Sequence, residues 1–242
     1  MSAGARTRIV LLDALGTLLA LVPPTAALVG GLRRDHGLEV SESVAARALG
    51  REMAYYRAHN HEASDALGLA QLRGRCARVL RWHLGAQAIG IDERDLLRTL
   101  LGALRFVAYP DAAPALRALG DLGVKRLVVS NWDVSLHDVL AHTGLDRDLD
   151  GALTSAEIGV AKPDRAIFDA ALEWAGAEPD GALHVGDSLD HDIAGARAAG
   201  VPAVLVVRGD QALLAAQRAR GVRAIASLSE LPGLAAQGFP TQ

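Results

Sequence analysis

The sequence predicts a doubly wound α/β fold with an inserted helical unit, and three observations support it. Ile9-Val10-Leu11-Leu12 is a continuous apolar run that stops at Asp13, the pattern of a strand covered on both faces. Beyond Tyr109-Pro110-Asp111, apolar runs alternate with helical periods, as parallel strands joined by crossover helices do. Between these two regions, about eighty residues show helical spacing alone.

Taken in order, the first strand ends at Asp13, where an open α/β sheet binds its ligands. From Thr25 to Arg105 the apolar stripes Val44, Leu49, Met53, Tyr56, then Leu69, Leu72, Cys76, Val79, Leu80, then Leu96, Leu97, Leu100, Leu101, Leu104 define amphipathic helices. Breaks at His36-Gly37, at Asn60 to Ser64 and at Gly85 to Asp92 divide them into three or four, and Gly30-Gly31 weakens the first. No strand is expected there. The second half reads as helix Asp111 to Leu122, strand Val124 to Val129, helix Val134 to Thr143 and a short strand near Ala152-Leu153. Pro163 is expected to open the next helix from a first-turn position, with Gly176 closing it. Strand Ala182 to Val185, helix Asp192 to Ala199 and strand Ala203 to Val207 follow, then one more alternation and a proline-bearing tail expected to fray. The expected units are a core of residues 1–22 and 107–242 and a helical cap of residues 23–106.

Composition narrows the function. Among 242 residues, half hydrophobic, the formal charge of -3 and the absence of a long basic run leave no footprint for nucleic acid or an anionic membrane. No stretch reaches the roughly 18 apolar residues of a membrane helix, and Asp13, Gly16 and Thr17 break up the apolar N-terminal stretch as a signal peptide. A small-molecule partner and a cytoplasmic monomer or homodimer are expected. The one cysteine, Cys76, lies on an apolar stripe and has no intrachain partner, as suits a reducing compartment.

Four groups fall at expected strand ends: Asp13, Ser130-Asn131, Lys162-Pro163 and the acidic loop Gly186-Asp187-Ser188-Leu189-Asp190-His191-Asp192. If the strands are parallel and adjacent, all four meet on one rim. Asp13, Asp187 and Asp192 offer the hard oxygens that suit Mg²⁺. Ser130 offers a hydroxyl and Lys162 a cation for phosphate oxygens, and lysine occurs elsewhere only at Lys125. An anionic nucleophile beside an anionic phosphate requires such compensation.

These four motifs, in this order, resemble the haloacid dehalogenase superfamily: Asp13-Ala14-Leu15-Gly16-Thr17-Leu18, Ser130-Asn131, Lys162 in Ala161-Lys162-Pro163-Asp164, and Gly186-Asp187 through Asp192. The resemblance implies a sheet of order 5-4-1-2-3 and a helical C1 cap between the first two motifs. It implies a Mg²⁺-dependent phosphatase acting on a small phosphorylated metabolite, with Asp13 as the nucleophile that forms an aspartyl-phosphate. Thr17, Ser130, the Asn131 backbone and Lys162 would bind the phosphoryl group. The metal would be held by Asp13, the Leu15 backbone carbonyl, Asp187 and Asp192.

Leu15 departs from the pattern, because phosphatases of the family usually carry a second aspartate there as general acid and base. Its loss typically costs on the order of 10²- to 10⁴-fold in rate. Two alternatives follow: a metal-independent 2-haloacid dehalogenase, whose leaving halide needs no proton, and a non-catalytic phosphate- or metal-binding protein. His36, His59 and His61 lie at cap helix ends or in the following loop, where a solvated or capping role is the simpler expectation than replacement of the missing acid. Tyr56 continues a core stripe, Trp132 and Asp133 are expected to line the cleft or cap a helix, and Asp190 and His191 belong to the acidic loop.

Overall fold

The computed structural model describes residues 8–237; the proline-bearing end of the tail lies outside them. The strand β1 (Ile9–Leu12) is wholly buried and sits at the centre of the sheet. A short β2 (Leu19–Leu21) leads to helices α1 (Thr25–His36), α2 (Glu42–His59), α3 (Ala66–Leu84) and α4 (Glu93–Ala103), and β3 (Phe106–Ala108) returns the chain. Then come α5 (Ala112–Asp121), β4 (Lys125–Ser130), α6 (Leu136–Thr143), β5 (Gly151–Thr154), α7 (Ser155–Ile158), α8 (Arg165–Ala175) and β6 (Ala182–Gly186). A π-helical turn over Leu189–Ala194 runs into α9 (Gly195–Ala198), and β7 (Ala203–Val206), α10 (Gln211–Ala219), β8 (Ala224–Ile225) and α11 (Leu231–Gln237) complete the chain.

The sheet has the order β5-β4-β1-β6-β7-β8, and every pairing in it is parallel. This is the expected order with one further edge strand, β8. Because side chains alternate along a strand, β1 serves two cores at once. Val10 and Leu12 join Leu116, Leu119, Leu136, Leu140 and Leu231 on one face. Ile9 and Leu11 join Ile167, Phe168, Leu172, Ile193 and Leu214 on the other. Helices therefore cover both faces, which explains why β1 reads as an uninterrupted apolar run.

The inserted helices bury a third cluster of their own, including Leu28, Leu32, Leu49, Leu72, Leu80, Leu96 and Leu100. Cys76 is buried in it, as expected. The Gly30-Gly31 pair does not end α1. A Cβ on Gly31 would come 2.8 Å from Thr99 Cγ2, so the absent side chain lets α1 and α4 approach closely.

Two expectations are corrected. Pro163 does not open a helix: it follows a cis Lys162-Pro163 bond, and the side chain of Asp164 caps α8 by accepting from Ala166 N. The expected helix from Asp192 to Ala199 begins three residues earlier as the π-turn, entered through the Ser188 side chain, which accepts from His191 N. Just outside the helical insertion, which holds no strand among the described residues, as expected, β2 and β3 form a two-stranded antiparallel ribbon, pairing Leu19 with Ala108 and Leu21 with Phe106, where the chain enters and leaves it. No helix among the described residues is long and apolar enough to cross a membrane.

Candidate active site

The parallel register places the ends of β1, β4 and β6 side by side: Leu12 is level with Val128 and with Val185. Asp13 therefore emerges beside Ser130 and the acidic loop. Its backbone N–H still donates to Val185 O at 2.9 Å, which fixes the carboxylate at the rim. Ser130 Oγ donates to Asp13 Oδ1 at 3.1 Å, and Lys162 Nζ donates to the same oxygen at 2.7 Å. Lys162 Nζ also donates to Asp192 Oδ1 at 2.7 Å. Asp13 Oδ2 accepts no hydrogen bond from the described residues.

Each of these side chains is held by a second set of contacts. The Asn131 side chain clamps the backbone of Lys162, accepting from its N–H at 2.7 Å and donating to its carbonyl at 2.8 Å. Asp192 accepts from Ser188 N at 3.0 Å through Oδ2 and from His184 Nε2 at 2.9 Å through Oδ1. His184 lies inside β6 and packs edge-on against Phe168. From the helical insertion, Asn60 Nδ2 donates to Asn131 O at 3.1 Å, Val134 N donates to Ala63 O at 3.1 Å, and Tyr56 OH donates to Asp133 Oδ2 at 2.9 Å. The insertion is thus tied directly to the loop after β4.

The electrostatics follow from burial and charge. Burial raises Asp13 above the ordinary carboxylate range, opposed by Lys162 and reinforced by Asp192. Burial also works against the Lys162 ammonium, but its two carboxylate partners outweigh it and hold the group above its usual value. Asp192 is buried too, yet Lys162 and His184 hold it well below the usual range. Asp187, exposed at the mouth, is pushed up to about 6 by desolvation from neighbouring protein atoms and then by Asp13 and Asp192.

Asp13, Asp187 and Asp192 each offer an oxygen within 4.8 Å of the others. Three carboxylates beside one ammonium leave two negative charges, which a divalent cation would balance, and hard oxygens suit Mg²⁺. Thr17 is fully buried in the turn after Asp13, and its Oγ1 has no partner among the described residues. A buried hydroxyl in that state is costly unless a ligand or water completes it. The donor set therefore fits both a metal and an oxyanion.

Two glycines make this density possible. Gly16 adopts φ +89, and a Cβ there would lie 2.0 Å from Asp187 Oδ2. A Cβ on Gly186 would lie 2.1 Å from Asp192 Cγ. Gly186→Ala is therefore expected to push Asp192 off Lys162 and Ser188 and to lower the affinity of this carboxylate cluster for a divalent cation by about 10- to 100-fold, the usual effect of disturbing the contacts that orient metal ligands. Calorimetric Mg²⁺ titration of the variant checks it, and unchanged metal affinity would contradict the expectation.

The other candidates lie elsewhere or play other parts. His36 Nε2 pairs with Thr99 Oγ1 at 2.8 Å, His59 Nδ1 with its own helix at Tyr55 O, and His61 is exposed. Trp132 is buried beside Phe106, and Asp133 accepts from Ser135 N ahead of α6. Asp190 and His191 are exposed. Sequence reasoning missed Asn60, His184 and Arg208. Arg208 directly follows the expected strand Ala203 to Val207, so the same strand-end rule would have flagged it.

Fold and site together define a hydrolase built on a doubly wound sheet, with a carboxylate centre at the strand ends. Residues 7–200 match the family model described as haloacid dehalogenase-like hydrolase. The chain belongs to that family. It is 34% identical over 214 residues to the human haloacid dehalogenase-like hydrolase domain-containing protein 3, covering 85% of this chain and 84% of the relative. It is also 34% identical over 225 residues to the phosphoserine phosphatase of Thermus thermophilus, covering 84% and 89%. Among solved structures, L-2-haloacid dehalogenase from Xanthobacter autotrophicus superposes with a TM-score of 0.66 at 22% identity, covering 94% and 98% of the two chains, a likeness of fold.

Proposed function

We propose that the protein is a Mg²⁺-dependent phosphatase that hydrolyses a small phosphorylated metabolite through an aspartyl-phosphate on Asp13. The observation that carries this reading is the convergence of Asp13, Ser130, Lys162 and Asp192 within one hydrogen-bonded network, with an Asp187 oxygen within 4.8 Å of Asp13 and Asp192, close enough for the three carboxylates to share a divalent cation. The phosphatase names of two relatives support it, phosphoserine phosphatase and the glyceraldehyde 3-phosphate phosphatase of Methanopyrus kandleri, the latter 39% identical over 102 residues. Residues 1–22 and 107–242 would act as the core and 23–106 as the cap.

In this reading Asp13 forms a bond to phosphorus through the oxygen that Ser130 and Lys162 leave free, and the bond between phosphorus and the leaving oxygen breaks, its electron pair departing with the leaving group. Lys162 moves its ammonium between Asp13 and the transferred phosphoryl oxygens, which Ser130, the Asn131 backbone N–H and Thr17 also bind. A water then attacks the phosphorus, releasing inorganic phosphate and returning Asp13 as a carboxylate. Mg²⁺, held by Asp13, Asp187, the Leu15 carbonyl and Asp192 directly or through water, would supply charge neutralisation at the phosphoryl oxygens.

The test is phosphate release from a panel of phosphomonoesters and acyl phosphates, with Mg²⁺ and after chelation with EDTA. Phosphate is expected with the metal and is expected to disappear with EDTA and return when Mg²⁺ is restored. Halide release from 2-haloacids in EDTA would favour the metal-independent dehalogenase instead, the alternative that an apolar Leu15 suits. Binding of phosphate with no turnover of any substrate would favour a non-catalytic protein.

A further inference from the structure

The loop after Asp13 is gripped by a residue almost two hundred positions away. Arg208, in the turn after β7, donates from Nε to Gly16 O at 3.2 Å and from Nη2 to Thr17 O. The other guanidinium nitrogen, Nη1, donates to both oxygens of Asp111 at 3.1 Å. The guanidinium carbon lies 3.7 Å from the centre of the Tyr109 ring, so the fork is also stacked. Asp111 is itself fixed by Ser227 Oγ at 2.7 Å and Leu228 N at 2.8 Å. Partial burial works to raise its carboxyl, but these donors and Arg208 outweigh it and hold the group below the usual range.

The planar fork serves these two consecutive carbonyls from two nitrogens at fixed spacing while its third nitrogen holds Asp111. The grip falls on the segment where placement matters most. Gly16 is in the left-handed region with its Cα against Asp187, and Thr17 brings a buried hydroxyl to the site. The turn's own bonds, Gly16 N to Leu19 O and Leu18 N and Leu19 N to Ala14 O, leave the carbonyls of Gly16 and Thr17 to Arg208.

We propose that Arg208 is a positioning residue for catalysis, which, anchored by Asp111 and Tyr109, holds the Gly16-Thr17 peptides so that Asp13 and Thr17 face the phosphoryl group while the Leu15 carbonyl stays turned to the metal position. The inference rests on the phosphatase reading of the same site. It predicts that the geometry of the guanidinium matters and not its charge alone, because a lysine in its place would have a single nitrogen where Arg208 uses three to reach Gly16 O, Thr17 O and Asp111 at once.

Arg208→Ala and Arg208→Lys are to be compared with the wild type for kcat and KM on p-nitrophenyl phosphate and acetyl phosphate with Mg²⁺. Both are expected to lose kcat on the order of 10²-fold with KM little changed, as loss of alignment does. Guanidinium chloride at sub-denaturing concentration is expected to restore Arg208→Ala and not Arg208→Lys, with ammonium chloride of equal strength restoring neither. A purely structural role would lower the melting temperature without this rescue. Amide hydrogen exchange of residues 14–19 gives a readout independent of activity: it is expected to rise in both variants and to fall with guanidinium in Arg208→Ala. Wild-type kcat in Arg208→Lys together with unchanged exchange would overturn the inference. If the wild type hydrolyses neither substrate while the exchange behaves as expected, the grip on the loop stands and both the phosphatase reading and the catalytic role resting on it fall.

Discussion

Asp13→Asn is expected to lower phosphate release by at least about 10⁴-fold, because an amide oxygen is a poor nucleophile and no other described carboxylate is free to take its place. Asp192 is committed to Lys162, His184 and Ser188, and Asp187 lies at the mouth among the groups that would hold the metal. The fold should survive the change. Asp13 and Asp192 share one ammonium at 2.7 Å each, with Asp187 adding a third negative charge, so removing a buried charge relieves crowding. The melting temperature of the metal-free variant is therefore expected to match or exceed that of the wild type at neutral pH. Loss of activity with retained Tm would place Asp13 in the chemistry; loss of both would make it a structural residue. Since a dehalogenase would also use Asp13 as its nucleophile, this variant does not separate those two readings, and the EDTA experiment does.

Most of the rim was legible because it depends on local patterns. An apolar run ending in a carboxylate, a Ser-Asn after Val128-Val129 and an acidic loop after Val185 each declare a strand end, and parallel pairing brings strand ends together without further information. Contacts that need long-range geometry were not legible. His184 reads as one polar residue in a buried strand, and only the π-turn that folds Asp192 back toward β6 gives its imidazole a partner. Asn60 sits in what reads as a break between helices, yet it reaches the loop after β4. The β2–β3 ribbon joins two three-residue segments separated by the whole helical insertion, too short to show alternation. Pro163 misled for a different reason. Proline suits a first helical turn, but here the Asp164 cap one residue later sets the start of α8, and Pro163 belongs to the loop that presents Lys162.

Leu15→Asp is expected to raise turnover of alkyl phosphomonoesters by on the order of 10²- to 10⁴-fold, the usual contribution of a positioned general acid and base. The reasoning starts from the leaving group. An alkoxide is too basic to depart unprotonated at a useful rate, whereas the carboxylate released from an acyl phosphate carries its electron pair away without a proton. Around Asp13, Lys162 is engaged with Asp13 and Asp192, and Asp192 with His184 and Ser188, while Asp187 lies among the groups that would hold the metal. Leu15 adds only an apolar side chain, partly buried against the core cluster that contains Trp132 and Leu19. The native enzyme should therefore favour acyl phosphates, and the variant should narrow that preference mainly by accelerating alkyl esters. Replacing part of an apolar contact by a carboxylate is expected to cost about 1–3 kcal/mol of stability, visible as a lower Tm, so activity must be compared below the unfolding range of both proteins. Steady-state rates on acetyl phosphate and on a simple alkyl phosphate, measured side by side for both proteins, decide the matter. A selective gain on the alkyl ester supports proton supply as the missing element. Equal rates on the alkyl ester before and after the change would show that position 15 does not govern leaving-group departure, and that the limiting step lies in the second half of the cycle or in substrate binding.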